Sequence, residues 1–222
     1  MLLQCEAPDA ESGPSAWPDW LPPDTLRSLA ELNESCLALL AEQAVARGAS
    51  ACPLLQAVGE LWGALDAAGR ARAASVPYLL LDAGFAEPLR WRLAGAPQVG
   101  ERQPLYPAFF TVAAAREVAR WIFTFAWQLA RAEGPSARLL LGLQPPSALL
   151  IRQYSARQIQ GLGENHPEWL RPRWAARVQI WRELLLAAAG GDTPALARAR
   201  RRGIPLLAAE ARLTLSLPAP PS

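Results

Sequence analysis

The chain has 222 residues, of which 51% are hydrophobic, and its 22 basic and 20 acidic side chains leave a formal net charge of +2. That apolar content supports a sizeable core and excludes a largely disordered chain, while so small a net charge excludes a protein that holds a polyanion by a one-signed field alone. All basic residues are arginine, a usage that points to a GC-rich bacterial genome, and the three cysteines (Cys5, Cys36, Cys52) lack CxxC spacing, so neither a disulfide framework nor a zinc site is expected and a reducing cytoplasm fits.

The start, MLLQCEAPDAESGP, has no basic segment followed by an apolar one, so no export signal is expected. Residues 1–23 form a Pro-rich N-terminal segment ending in WPDWLPP, where each proline lacks an amide donor and Trp17 and Trp20 are expected to dock on the body. Asp24 stands where an N-cap belongs. Leu26, Leu29, Asn33, Cys36, Leu37, Leu40 and Ala44 then recur at helical spacing until Gly48 supplies a stop. A second helix is predicted from Pro53 to about residue 74, with Gly59 and Gly63 permitting close approach of a neighbour. The run VPYLLLDAGF (76–85) is apolar throughout, a pattern that periodicity cannot assign between buried strand and short helix.

Residues 93–110, with Gly95, Pro97, Gly100, Pro104 and Pro107, read as a loop or linker between an N-terminal helical half, 24–92, and a C-terminal half, 111–203. Thr111 caps the longest predicted helix, 112–132, whose Val118, Trp121, Phe125 and Leu129 are read as one core stripe. WIFTFAWQLA within it falls far short of the roughly 20 apolar residues a bilayer requires, so no membrane span is expected. Short helices follow near 135–142, 145–154 and from Ser155, where Ser155 and Gln158 have capping-box spacing. The last strong helices are predicted over 173–189 and from Asp192 to a stop at Gly203, leaving 204–222 as a loose tail. The fold class expected is all-α, an irregular bundle of about six to eight helices. Echoes between GASA (48–51) and GPSA (134–137), and between LRW (89–91) and RPRW (171–174), allow two related halves.

The stretch GENHPEWLRPRWAARVQIWRELL (163–185) holds the only histidine, three of nine tryptophans and four arginines. At 100° per residue Trp174, Val178, Trp181, Leu185 and Ala188 share one stripe, whereas Arg173, Arg177 and Arg182 scatter and Arg171 precedes Pro172. Such scatter disfavours a DNA recognition helix, whose side chains must converge on a groove. The arginine stems are expected to cover apolar surface and their heads to meet carboxylates such as Glu164, Glu168 or Glu183. His166 has no Ser or Cys nucleophile beside it and cannot build a two-histidine metal site. Neither GxxxxGK[ST] nor GxGxxG occurs. No cofactor, metal or catalytic residue is therefore expected. An enzyme of unfamiliar helical type would need acids converging in an apolar pocket; Glu164 with Glu168 or Asp82 with Glu87 are available but no spacing singles out a pair, and a cleft in which Glu164, His166 and a third polar side chain share one centre would overturn the non-catalytic reading.

Residues 118–174 resemble the core of the FlhD family, helical flagellar master regulators of proteobacteria. The parallels are a long helix through Trp127, Gln128 and Leu129, then Leu141 and Gly142, then Tyr154, Ser155, Gln158, Ile159 and Leu162, then Arg171, Arg173 and Trp174. The likeness covers about a quarter of the chain, no cysteine falls within it, and this chain is longer than the family's members. It implies an all-α regulator that binds another protein, with DNA contact supplied mainly by that partner.

The reading from sequence is a non-enzymatic cytoplasmic regulator whose partner is another protein, a transcriptional regulator among the candidates, with a homodimer allowed. Tryptophan and arginine are enriched at interface hot spots, so the partner-binding residues proposed are Trp169, Arg171, Arg173, Trp174, Arg177, Arg198, Arg200, Arg201 and Arg202. The alternative is a direct DNA binder using Arg171, Arg173, Arg177 and the 198–202 cluster, whose affinity would fall steeply with salt.

Overall fold

Leucine and alanine at helical spacing, cut at short intervals by proline and glycine, build an all-α fold of eleven helices with a single two-residue strand pair among the described residues. The computed structural model describes residues 21–47, 52–94 and 108–215. In chain order these are α1 (Pro23–Arg47), α2 (Pro53–Ala57), α3 (Gly59–Ala64), α4 (Ala67–Ala74), β1 (Leu81–Asp82), α5 (Pro88–Ala94), α6 (Val112–Ala132), α7 (Gly134–Leu141), α8 (Pro145–Gln153), α9 (Ala156–Asn165), β2 (Arg171–Pro172), α10 (Val178–Gly190) and α11 (Thr193–Leu215). No helix among them is long and apolar enough to cross a membrane.

Several boundaries follow their local chemistry. Thr111 is the N-cap of α6, and Ser155 opens α9 with a complete capping box in which its hydroxyl accepts from the Gln158 amide while the Gln158 side chain accepts from the Ser155 amide. Gly142 ends α7 in the left-handed conformation. Elsewhere the chain breaks where a continuous helix was expected. The 53–74 segment is three helices: Val58 leaves helical geometry between α2 and α3, and Leu65 between α3 and α4, where Asp66 caps α4 by accepting from the Gly69 amide at 2.5 Å. Gly59 and Gly63 admit no close neighbour, since a Cβ on either would meet nothing within 4 Å. These breaks, with the separate α5, carry the count past the six to eight expected.

Helix α6 is central, packing on α9, α7, α8 and α1, and α10 lies across α2, α3, α4 and α11. Residues from both halves enter one hydrophobic core, from Leu29, Cys36 and Leu40 through Trp91 and Phe123 to Trp181 and Leu207. The LRW and RPRW pair of the proposed echo has no common structure: LRW lies in helix α5, whereas RPRW is strand and turn. Of the other echo, residues 48–51 lie outside the described residues, as do Trp17, Trp20 and most of the 93–110 loop.

Through the middle of this core runs the 76–85 segment, with Val76, Tyr78, Leu79, Leu80, Leu81, Ala83 and Phe85 all buried. Periodicity leaves its identity open, and the structure makes it neither helix nor full strand but irregular chain whose two residues Leu81–Asp82 form β1, paired antiparallel to β2 with Leu81 opposite Pro172 and Asp82 opposite Arg171. A buried irregular segment must find partners for its amides and carbonyls, and here side chains supply what missing strands do not. Asn33 of α1, fully buried, donates to the Ala74 carbonyl at 3.0 Å and the Tyr78 carbonyl at 2.9 Å and accepts from the Leu80 amide at 2.9 Å. Leu79 donates to the Leu140 carbonyl at 2.9 Å, and the Arg173 amide donates to the Leu80 carbonyl at 3.0 Å.

That last bond explains a correction. Residues 173–177 are not the first turns of a helix, because Arg171 and Pro172 are spent on β2 and the chain then turns through Trp174, whose φ is +49°, before α10 begins at Val178. The apolar stripe stands over Trp181, Leu185 and Ala188, buried on α10 with Leu184 beside them, whereas Val178 is half-buried and Trp174 lies before the helix. A second correction lies at the other end: Gly203 is no stop, and α11 continues to Leu215 through Pro205. Glycine at 203 instead lets α11 reach the Tyr78 ring, since a Cβ there would lie 2.1 Å from Tyr78 Cε1.

Candidate functional site

The residues singled out near the C-terminal end of the sequence fall into two groups. Trp169 and Arg173 are interior. Trp169, on the turn Pro167–Trp169, meets Trp91 edge-on at 5.3 Å and Phe123 at 5.7 Å, lies under the His166 ring at 4.5 Å and has the Arg90 guanidinium 5.4 Å from its centroid. Arg173 is only 3% exposed. Its Nε donates to the Leu79 carbonyl at 2.8 Å, its Nη2 to the Leu141 carbonyl and its Nη1 to Glu210 at 3.2 Å, with Asp82 at 3.7 Å. The expected apolar burial of its stem and pairing of its head are both present, but at the centre of the molecule, where no partner protein reaches. Trp174 is half-buried against Tyr78 at 5.2 Å.

The second group is peripheral and does not converge. Arg200 is half-buried and bonds to Ser75, Arg202 pairs with Glu183, and Arg171 is held in β2. Arg177, Arg198 and Arg201 are exposed and make no ion pair among the described residues. Burial lowers the Arg200 guanidinium from its usual range, with the neighbouring Tyr78 opposing, and burial raises the Tyr78 hydroxyl. The arginine cluster is thus divided between fold and solvent.

Nor do Glu164 and His166 share a centre. Glu164 turns to Arg120 at 3.7 Å, whereas His166 Nδ1 meets Glu168 Oε1 at 2.8 Å and its buried Nε2 has no hydrogen-bond partner among the described residues. Among the described residues no group of three or more His, Cys, Asp or Glu is placed to hold a metal ion. Cys36 and Cys52 are both free thiols, and burial pushes that of Cys36 up.

A different surface carries the features of a binding site. Between α1 and α6 lies an open groove of about 390 Å³, lined by Ser28, Glu31, Leu32 and Ser35 from α1 and by Trp121 and Phe125 from α6. The spacing of the α1 residues, three or four apart, places them along one side of that helix. Trp121 is 48% exposed, against the expectation that it joins Val118, Phe125 and Leu129 in a core stripe. The buried face of α6 is Ala115, Val118, Ala119, Ile122, Phe123, Ala126, Leu129 and Ala130, which turns Trp121 and Phe125 to the flank beside α1. Sequence reasoning missed this site because it assigned every large apolar residue of α6 to the core. The signal was present in the small residues: Ala115, Ala119, Ala126 and Ala130 mark the side where neighbours approach closely, and Trp121 lies off that side. Comparison of the chain with protein-family models, with curated proteins and with solved structures finds no match.

Proposed function

We propose that this chain is a non-enzymatic regulatory protein that acts in the cytoplasm by binding another polypeptide in the α1–α6 groove. The carrying observation is Trp121, a large aromatic side chain left half in water beside Phe125 and Leu32 and rimmed by Ser28, Glu31 and Ser35. An apolar floor with a polar rim is the anatomy of a protein interface, and tryptophan is foremost among residues whose removal weakens one. The polar groups a reaction would draw on elsewhere support the same reading: Asn33, Arg173 and the His166–Glu168 pair are engaged within the fold. The FlhD likeness would make the partner a transcriptional regulator. The groove replaces the arginine surfaces as the proposed contact.

The test is a photo-crosslinking amino acid at Ser35, on the rim, with another at Leu149, which is 60% exposed on α8. A discrete crosslinked species with a second polypeptide is expected from position 35 and not from 149. Equal yields, or none at 35 under several growth conditions, would contradict the proposal.

A further inference from the structure

Resting on that reading of the groove, we infer that its occupant is an amphipathic helix carrying arginine or lysine beside large apolar residues. The charge around the groove is one-sided. On α1, Asp24, Ser28, Glu31, Ser35 and Glu42 follow one another at spacings that keep them on one ridge; Glu31 lines the groove, and neither Glu31 nor Glu42 makes an ion pair among the described residues. On α6, Glu117 stands exposed one turn before Trp121, likewise with no ion pair.

The cations nearest in sequence are already engaged or lie on another flank, and the engagement of Arg27 takes Asp24 out of the free acidic ridge, leaving Glu31 and Glu42 on α1. Arg27 is held by Asp24 at 2.8 Å, Arg120 reaches across the opposite flank of α6 to Glu164 of α9 at 3.7 Å, and the Arg131 guanidinium lies 4.9 Å from the centroid of Trp127. Arg116, one turn before Arg120, shares that opposite flank. A positive residue on the occupant would therefore find unpaired carboxylates on both walls, a complementarity that selects partners and speeds encounter. A helix is the fitting shape. Two helices form the walls, so their amides and carbonyls are satisfied internally and offer an extended peptide no ladder to join, whereas a helix needs only side-chain anchors at i, i+3 and i+4.

The probe is a fluorescein-labelled synthetic helix of leucine and arginine, about five turns long at 3.6 residues per turn, with a counterpart in which glutamate replaces every arginine. Fluorescence anisotropy with the full chain should show the basic helix binding at least about tenfold more tightly than the acidic one. Trp121→Ala should cost at least about tenfold, an amount typical of a hot-spot truncation, and Glu31→Lys with Glu117→Lys should reverse the charge preference while leaving the melting temperature unchanged. Equal affinity for the two helices, no reversal, or sedimentation showing that a second copy of the chain already fills the groove would overturn the inference. Those results with a groove-dependent crosslink at Ser35 would reject only the helix; loss of the crosslink would reject the binding site itself.

Discussion

A guanidinium withdrawn from water is costly unless its N–H groups find acceptors, and Arg173 finds them in two backbone carbonyls and the Glu210 carboxylate. Arg173→Met should destabilise the chain by about 3–5 kcal/mol in urea denaturation, the range for breaking a buried charged network; a loss below about 1 kcal/mol would show that those carbonyls find other partners. Asn33 allows a finer test. Asn33→Asp keeps the shape and the acceptor for the Leu80 amide but removes the donor to Ala74 and Tyr78, so stability should fall, and fall further as pH rises and the new carboxyl ionises. Denaturation midpoints equal to wild type at neutral pH would refute that role. Burial raises the Glu210 carboxyl above the ordinary carboxylate range, with Arg173 opposing. A group with its folded value raised contributes stability that is fully present below the ordinary value and lost as pH rises through the raised one. The melting temperature of wild type minus that of Glu210→Gln should therefore shrink with rising pH across this window, and a constant difference would contradict the assignment. That Arg173 would bury its stem and pair its head was legible from sequence, but neither its actual acceptors nor the role of Asn33 was, because both residues act on segments that are distant along the chain and close only after folding.

Helix α9 lies on α6 through Gly163, where an added Cβ would fall 2.6 Å from the Arg120 Cα, a backbone atom that cannot swing aside. Gly163→Ala should accordingly cost about 1–3 kcal/mol, as overpacking does, with Gly161→Ala, which meets nothing within 4 Å, as the control. Equal stability of the two variants would remove the close approach as the reason for glycine. At this scale much was legible: α6, α7, α8 and α9 stand close to where their caps and prolines place them, because those signals act within one turn. Misreadings occurred where tertiary contacts prevail. Residues 173–177 read as the first turns of a helix, yet the pairing of β2 with 80–82 and the turn at Trp174 hold them out of it, and Gly203 looks like a terminator until Tyr78 is beside it. In each case the deciding partner lies more than 80 residues away.

Across the whole molecule, charge and aromaticity are sorted. Trp62, Trp91, Trp169 and Trp181 fill the core, and half-exposed Trp121 remains beside an acidic ridge. All-α architecture could be read from the pattern of the chain, and the alanines of α6 hold a signal that Trp121 lies off its buried side, but which helix stands beside Trp121 could not be read, since α1 and α6 meet only on folding. The central claim is that this groove, and not the arginine surface of the C-terminal helices, is where the protein works. The most direct measurement is quantitative co-purification of partner polypeptides with Trp121→Ala and with the triple variant Arg177→Ala, Arg198→Ala, Arg201→Ala, both confirmed to melt as wild type. The account predicts that the specific partner is lost with Trp121→Ala and retained by the triple variant; retention with Trp121→Ala and loss with the triple variant would contradict it.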